Sequence, residues 1–207
     1  MKYHDLAVTI GWVAVSLTVW GTFAQYRRAL RRGVEGVSLA TWLLFALMGC
    51  FWISYGLDQR SALIILGSVL ALPLQLAVIV RLRPWRSPLV VTRVVLLVLV
   101  ACVAPALLFG WSGGVYCAGV VMVATRAPQL IELVRHRGAE GVSVSMWTFS
   151  TVALVCWVIY YQNVRLWAPL TSTLCAGVAS TSIALLALWR HRQARAQLVA
   201  DVVFSDV

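Results

Sequence analysis

The chain has 207 residues, of which 61% are hydrophobic and only 12% are charged. Soluble domains carry about 25% charged and about 45–50% apolar residues, so this composition excludes a soluble fold and indicates an integral membrane protein. The net charge of +10 does not predict nucleic-acid binding, because the arginines form short clusters between apolar segments, where they act as topology signals.

Seven apolar segments are long enough to cross a membrane, which takes about 20 residues at about 1.5 Å of rise each. They lie at residues 6–26, 37–57, 61–81, 90–110, 112–133, 142–162 and 166–189. A glycine-rich stretch at residues 109–114 is the predicted turn between the fourth and the fifth segment. The sequence therefore predicts an all-α membrane protein with seven transmembrane helices.

The orientation follows from where the basic residues collect. Fourteen of the 17 lysines and arginines fall in the first, third and fifth connections or in the C-terminal tail, and the other three are Lys2, Arg60 and Arg165. Cytoplasmic connections carry an excess of lysine and arginine. We therefore expect the N-terminus outside and the C-terminus in the cytoplasm. The size of the chain and the lack of targeting signals favour a multi-pass protein of the plasma membrane, in a bacterial inner membrane.

The chain contains an internal repeat. The stretch "AQYRRALRRGVEGVSLATW", residues 24–42, aligns with "PQLIELVRHRGAEGVSVSMW", residues 128–147, after one inserted residue. The match continues with Trp52 opposite Trp157 and Tyr55 opposite Tyr160. Two three-helix units joined by one extra helix keep the same orientation, which predicts parallel repeats in a 3+1+3 arrangement. The predicted parts are a first repeat (1–83), a connecting helix (84–110), a second repeat (111–190) and a cytoplasmic tail (191–207).

Pro128 and Gln129 close the first helix of the second repeat. Three-helix repeats with such a Pro-Gln pair resemble the PQ-loop superfamily, which includes the SWEET and SemiSWEET sugar transporters. The first repeat keeps only the glutamine, Gln25. The stretches "FWISYG" (51–56) and "LIILGSV" (63–69) are similar to the second and third helices of SemiSWEETs.

The resemblance implies a central substrate site lined by a tryptophan and a third-helix residue of each repeat. Those positions are Trp52 and Ser68 in the first repeat and Trp157 and Thr173 in the second, where the family has asparagine in place of the two hydroxyl residues. It also implies an outer gate made of a tyrosine with an Arg/Asp pair. The gate positions are Tyr55, Asp58, Arg60, Tyr160 and Arg165.

The stretch "TRAPQL", residues 125–130, predicts a hinge. Proline inside a helix frees the carbonyl four residues earlier, here that of Ala124, and favours a bend, while Gln129 can supply an amide to the backbone. Because the first repeat has alanine at the proline position, we expect helix five to bend more than helix one. We expect Arg126 to snorkel to the cytoplasmic headgroups; the alternative is that it faces the cavity and binds a carboxylate.

No Asp or Glu lies near the middle of any segment, so the sequence predicts transport without obvious proton coupling. It offers no nucleophile–base pair, metal cluster or cofactor motif, which argues against an enzyme. The predicted function is alternating-access transport of a small polar solute, with a sugar as the expected cargo. An amino-acid exporter of the PQ-loop type and a non-transporting receptor or scaffold on the same fold remain as alternatives. The partners are the solute and the lipid bilayer, no nucleic acid is expected, and a duplicated chain needs no oligomer.

Overall fold

The computed structural model describes residues 2–35, 37–135 and 143–205, and every regular element in these ranges is helical. Two short elements of other helical types are a 3-10 turn at Pro84–Arg86 and a π-helical segment at Leu99–Val103. The helices are α1 Lys2–Arg32, α2 Leu39–Asp58, α3 Ala62–Arg81, α4 Pro88–Val98, α5 Ala104–Ala124, α6 Ala127–Arg135, α7 Val144–Asn163 and α8 Trp167–Ser205. Part of the aligned repeat, Gly36 and residues 136–142, lies outside the described residues.

The all-α prediction is confirmed for the described residues. Six helical stretches among them are long and apolar enough to cross a membrane, which is compatible with a multi-pass architecture. Five of the predicted segments correspond to one stretch each. The fourth and fifth fall together in Pro88–Arg135, a stretch of 48 residues. The last helix is longer than predicted, because α8 continues beyond residue 189 to Ser205.

The long stretch is not straight, because Gly110 has φ 75° and ψ 175°, which no α-helix contains. A Cβ added to Gly114 would lie 2.6 Å from the Cβ of Ala106 and 2.9 Å from the carbonyl oxygen of Cys102. Residues eight apart in a straight helix are separated by about 12 Å along the axis. The chain therefore doubles back at Gly110, within the glycine-rich stretch where the sequence predicts a turn, and only a residue without a side chain fits at Gly114.

The turn between α2 and α3 recurs between α7 and α8. Arg60 and Arg165, which are equivalent in the sequence repeat, both adopt left-handed backbone conformations, with φ 50° and 57°. The same helix-ending bond closes both turns: the N–H of Ser61 donates to Gly56 at 2.9 Å, and that of Leu166 donates to Tyr161 at 3.0 Å. This pattern is a Schellman C-cap, in which the left-handed residue is usually glycine. The internal repeat thus has a counterpart in local structure.

The starts of α2 and α7 also match. Ser38 and Ser143 are their N-caps, and each side chain accepts a bond from the backbone N–H three residues on, at 3.4 Å and 3.1 Å. A serine cap satisfies one of the donors that a helix start leaves unpaired. Both serines come from the "GVS" of the aligned repeat.

Within each half, the third helix lies beside both others: α3 packs against α1 and α2, and α8 packs against α5 and α7. The halves meet mainly where α1 packs along α7. Two hydrophobic clusters form the core, and α2 contributes Phe51 and Tyr55 to one and Trp42 and Ala46 to the other. We call the end of the bundle that holds the α2–α3 turn the outer end, and the end that holds the α1–α2 connection the inner end.

Candidate functional site

A cavity of about 180 Å³ lies between the two halves and is lined by α1, α2 and α3 from the first and by α5, α7 and α8 from the second. All four residues predicted to contact substrate, Trp52, Ser68, Trp157 and Thr173, line it. Pockets for drug-sized ligands measure about 300–1,000 Å³, so this cavity fits a smaller molecule. The structure brings the four residues together, and substrate binding by them stays a prediction.

The two tryptophans have one aromatic contact in common. The ring of Trp52 meets Tyr55 edge-on at 5.6 Å between centroids, and Trp157 meets Tyr160 in the same way, also at 5.6 Å. The indole Nε1 of Trp157 donates to Thr18 Oγ1, on α1 of the other half, at 3.4 Å. Trp157 therefore connects the halves at the cavity wall, and both indoles are oriented by an aromatic neighbour one turn further out.

The third helix of each half adds polar groups to the wall. Ser68 is half-buried, and Thr173 is 3% exposed. Gln75, which the sequence analysis does not place in the site, also lines the cavity, and its buried Oε1 has no hydrogen-bond partner within the described part of the chain. A buried carbonyl without a donor is costly, so a donor on a bound solute would stabilise this position. The sequence feature that could have indicated Gln75 was its amide side chain inside an apolar helix, two residues after Pro73.

Arg126 is buried in the cavity wall, 7% exposed. Its Nε donates to Ser180 Oγ at 2.6 Å, and its Nη1 donates to Thr125 Oγ1 at 2.9 Å and to the carbonyl of Met122. The guanidinium also lies 5.6 Å from the ring centroid of Phe45. The expectation that Arg126 would snorkel to the headgroups is therefore wrong, because its partners are inside the protein.

All of these partners of Arg126 are uncharged, and no carboxylate pairs with it among the side chains that the structure describes. A buried charge without a counter-ion is expensive in a membrane protein and marks a functional position. The equivalent residue in the first repeat is Thr22, which also lines the cavity. The two halves thus place equivalent tryptophans in the cavity wall but differ in charge.

The outer-gate residues divide into buried and exposed sets. Tyr55 and Tyr160 are 3% and 7% exposed and pack outside the two tryptophans. Asp58, Arg60 and Arg165 are exposed. Asp58 accepts a bond from Gln59 Nε2 at 2.8 Å and forms no ion pair with Arg60 in the described structure. The tyrosines therefore form a packed layer above the cavity, whereas Asp58 and Arg60 are not paired with each other in the described structure, and the gate stays a prediction.

At the inner end, the two glutamines of the repeats bind across the interface between the halves. Gln25 Oε1, on α1, accepts from the backbone N–H of Ser143 at 3.0 Å. Gln129 Oε1, on α6, accepts from the backbone N–H of Ser38 at 3.3 Å. Both glutamines are 2% exposed. Each glutamine thus holds the N-cap of the second helix of the opposite repeat, which sequence reasoning did not foresee.

The helix that carries the Pro-Gln pair is interrupted. α5 ends at Ala124 and α6 begins at Ala127, with Pro128 as its second residue. Proline suits the first turn of a helix, where its missing N–H would be unpaired in any case. α1 runs through the matching position, Ala24, without a break. The helix is therefore interrupted in the second repeat, which has proline, and continuous in the first repeat, which has alanine. The hinge motion itself stays a prediction.

Comparisons of this chain with models of protein families, with curated proteins and with solved structures found no match.

Proposed function

We propose that the protein is a multi-pass membrane transporter that moves a small polar solute by alternating access. The observation that carries this proposal is the cavity between two equivalent halves, with Trp52, Ser68, Trp157, Thr173 and Arg126 in its wall. Transporters built from repeats bind their substrates at the interface between the repeats, near the middle of the membrane. The resemblance to the PQ-loop superfamily agrees with this assignment.

The proposal includes seven crossings in a 3+1+3 order. A straight helix of 48 residues would be about 72 Å long, more than twice the ~30 Å hydrocarbon core. The reversal at Gly110 divides this length between two crossings, which supports counting α4 with the start of α5 as the connecting helix. With the basic clusters in the cytoplasm, the inner end faces the cytoplasm and the N-terminus lies outside.

Alternating access needs a closure on each side of the site. On the inner side, the Gln25–Ser143 and Gln129–Ser38 bonds join the halves and would break as the inner end opens. On the outer side, Tyr55 and Tyr160 cover the cavity, and the hydroxyl of Tyr160 lies 3.4 Å from Ser61 Oγ of the other half. These contacts are single hydrogen bonds of modest net strength, which suits closures that must open in every cycle.

The residues of the cavity favour a solute that carries a carboxylate, such as an amino acid. Arg126 lacks an anionic partner among the described residues, and an arginine binds a carboxylate with paired, charge-assisted hydrogen bonds. A sugar, the cargo expected from the sequence, is the second candidate, because Trp52 and Trp157 offer flat faces to its C–H groups and Gln75 and Thr173 offer polar groups to its hydroxyls.

Uptake into liposomes tests the proposal. The purified protein is reconstituted, and the flux of labelled amino acids, simple carboxylates and monosaccharides is measured with and without a pH gradient. We expect saturable flux of a carboxylate-bearing solute that the pH gradient leaves unchanged. Flux of monosaccharides alone would replace the first cargo with the second. Specific binding of a solute without flux would favour the receptor alternative and contradict transport.

A further inference from the structure

A second cavity, of about 260 Å³, opens at the inner end of α1 and is strongly basic. One wall is formed by Arg27, Arg28, Arg31 and Arg32 of α1, and Ser143 and Ser145 at the start of α7 line the other side. No aspartate or glutamate lines it among the described residues. Four arginines therefore line one groove at the contact between the two halves of the bundle.

The groove is also amphipathic along α1. Trp20 and Phe23 line it toward the middle of the bundle, 59% and 36% exposed, with their ring centroids 5.5 Å apart. The four arginines follow in the next turns: Arg27 and Arg31 share one helix face, Arg28 and Arg32 share the adjoining face, and all four line the groove. One end of the groove thus presents aromatic surface at the depth of acyl chains, and the other presents positive charge at the depth of headgroups.

The second repeat keeps only part of this charge. Ile131 and Glu132 stand where the first repeat has Arg27 and Arg28, whereas Arg135 stands opposite Arg31. The fold therefore does not require arginine at the positions of Arg27 and Arg28. A topology signal needs positive charge anywhere in a cytoplasmic connection. The collection of four arginines around one groove calls for a local explanation.

We propose that this groove binds the phosphate of an anionic phospholipid from the cytoplasmic leaflet. Arginine forks match phosphate oxygens in paired hydrogen bonds, and basic pockets at the cytoplasmic ends of helices suit such headgroups. The exposed Trp20 and Phe23 favour a lipid over a soluble phosphate, since only a lipid has acyl chains to lie on them. A headgroup between the arginines and Ser143 or Ser145 would hold α1 against α7. This site does not depend on transport or on the identity of the cargo.

The experiment compares lipids on the purified protein in neutral detergent. Phosphatidylglycerol and phosphatidylcholine with the same acyl chains are added, and bound lipid is counted by native mass spectrometry while unfolding is followed by heating. We expect retention of phosphatidylglycerol, a rise in melting temperature with that lipid only, and a weaker effect in 0.5 M salt than at low salt, as screening predicts. Equal retention of phosphatidylcholine, or an equal rise in melting temperature with inorganic phosphate, would overturn the lipid assignment.

Two double variants locate the site. R27Q/R31Q and R28Q/R32Q each remove two guanidinium groups. The expected loss of phosphatidylglycerol affinity is about fivefold per arginine, and therefore about 25-fold for each double variant. The control is R81Q/R86Q, which loses the same charge from exposed arginines outside the groove. R27K/R31K keeps the charge and should bind more tightly than R27Q/R31Q. Equal binding by the groove variants and the control would show that the lipid responds only to net charge.

Discussion

Replacing Gln25 by leucine tests the inner closure. Gln25 Oε1 lies 3.0 Å from the backbone nitrogen of Ser143, a residue that is 3% exposed. Leucine has nearly the same size and no acceptor, so the variant leaves a buried N–H unpaired at a cost of about 1–3 kcal/mol. The N–H regains a partner once water enters the inner end. The free energy of the inner-closed state therefore rises by about 1–3 kcal/mol relative to the inward-open state. This shifts the ratio of the two populations about 5–150-fold toward the inward-open state.

Accessibility of the cavity measures this shift. A single cysteine replaces Ser150, which lines the cavity, in a background without the native cysteines. A membrane-impermeant thiol reagent is then applied to either side of oriented vesicles. Q25L should raise the labelling rate about 5–150-fold from the cytoplasmic side and not from the other side. The control Q162L changes an exposed glutamine near the outer end of α7 and should leave the rate unchanged. An unchanged rate in Q25L, or an equal rise in Q162L, would refute the closure.

Three further predictions follow from single side chains. R126Q should weaken binding of the carboxylate solute about 10–150-fold, because it loses a charge-assisted hydrogen bond worth about 1.5–3 kcal/mol. In equilibrium binding assays the affinity of R126K should lie between those of wild type and R126Q, and equal affinity in wild type and R126Q would contradict a carboxylate partner. Gly114→Ala should lower the melting temperature, because the added Cβ would lie 2.6 Å from Ala106, at a cost of about 1–3 kcal/mol, whereas Gly177→Ala has open space and should not. Arg60→Gly should raise the melting temperature by relieving about 1 kcal/mol of left-handed backbone cost, whereas Arg60→Ala should not; equal melting of the two would contradict that reason.

Much of the fold could be predicted because it depends on local patterns. Apolar length indicates the membrane helices, and the glycine-rich stretch indicates the reversal at Gly110. The internal repeat indicates that Trp52 and Trp157 are equivalent, and the two residues lie on the walls of one cavity. A repeated sequence folds into a repeated unit, so residues at matching positions approach a common interface. Alignment of the halves therefore gave the most information about the site.

What could not be predicted depends on contacts far apart in the chain. One of the groups that hold Arg126 inside the protein is Ser180, 54 residues later, and nothing near Arg126 in the sequence indicates that partner. Gln25 could be matched to Gln129 by the repeat, but its partner Ser143 is 118 residues away and nothing near Gln25 indicates it. The pairing of Arg60 with Asp58 was implied by the resemblance to the PQ-loop superfamily. The left-handed backbone of Arg60, which closes the α2–α3 turn, could be seen only in three dimensions.

Flux through the W52A/W157A double variant tests the central claim most directly, namely that the solute passes through the cavity between the halves. The control is W12A/W167A, which removes two exposed tryptophans, 48% and 57% accessible, outside the cavity wall. Initial uptake rates are compared in liposomes with equal amounts of folded protein. The account predicts that W52A/W157A loses most of the flux while W12A/W167A keeps it. Equal flux in W52A/W157A and wild type would contradict the account.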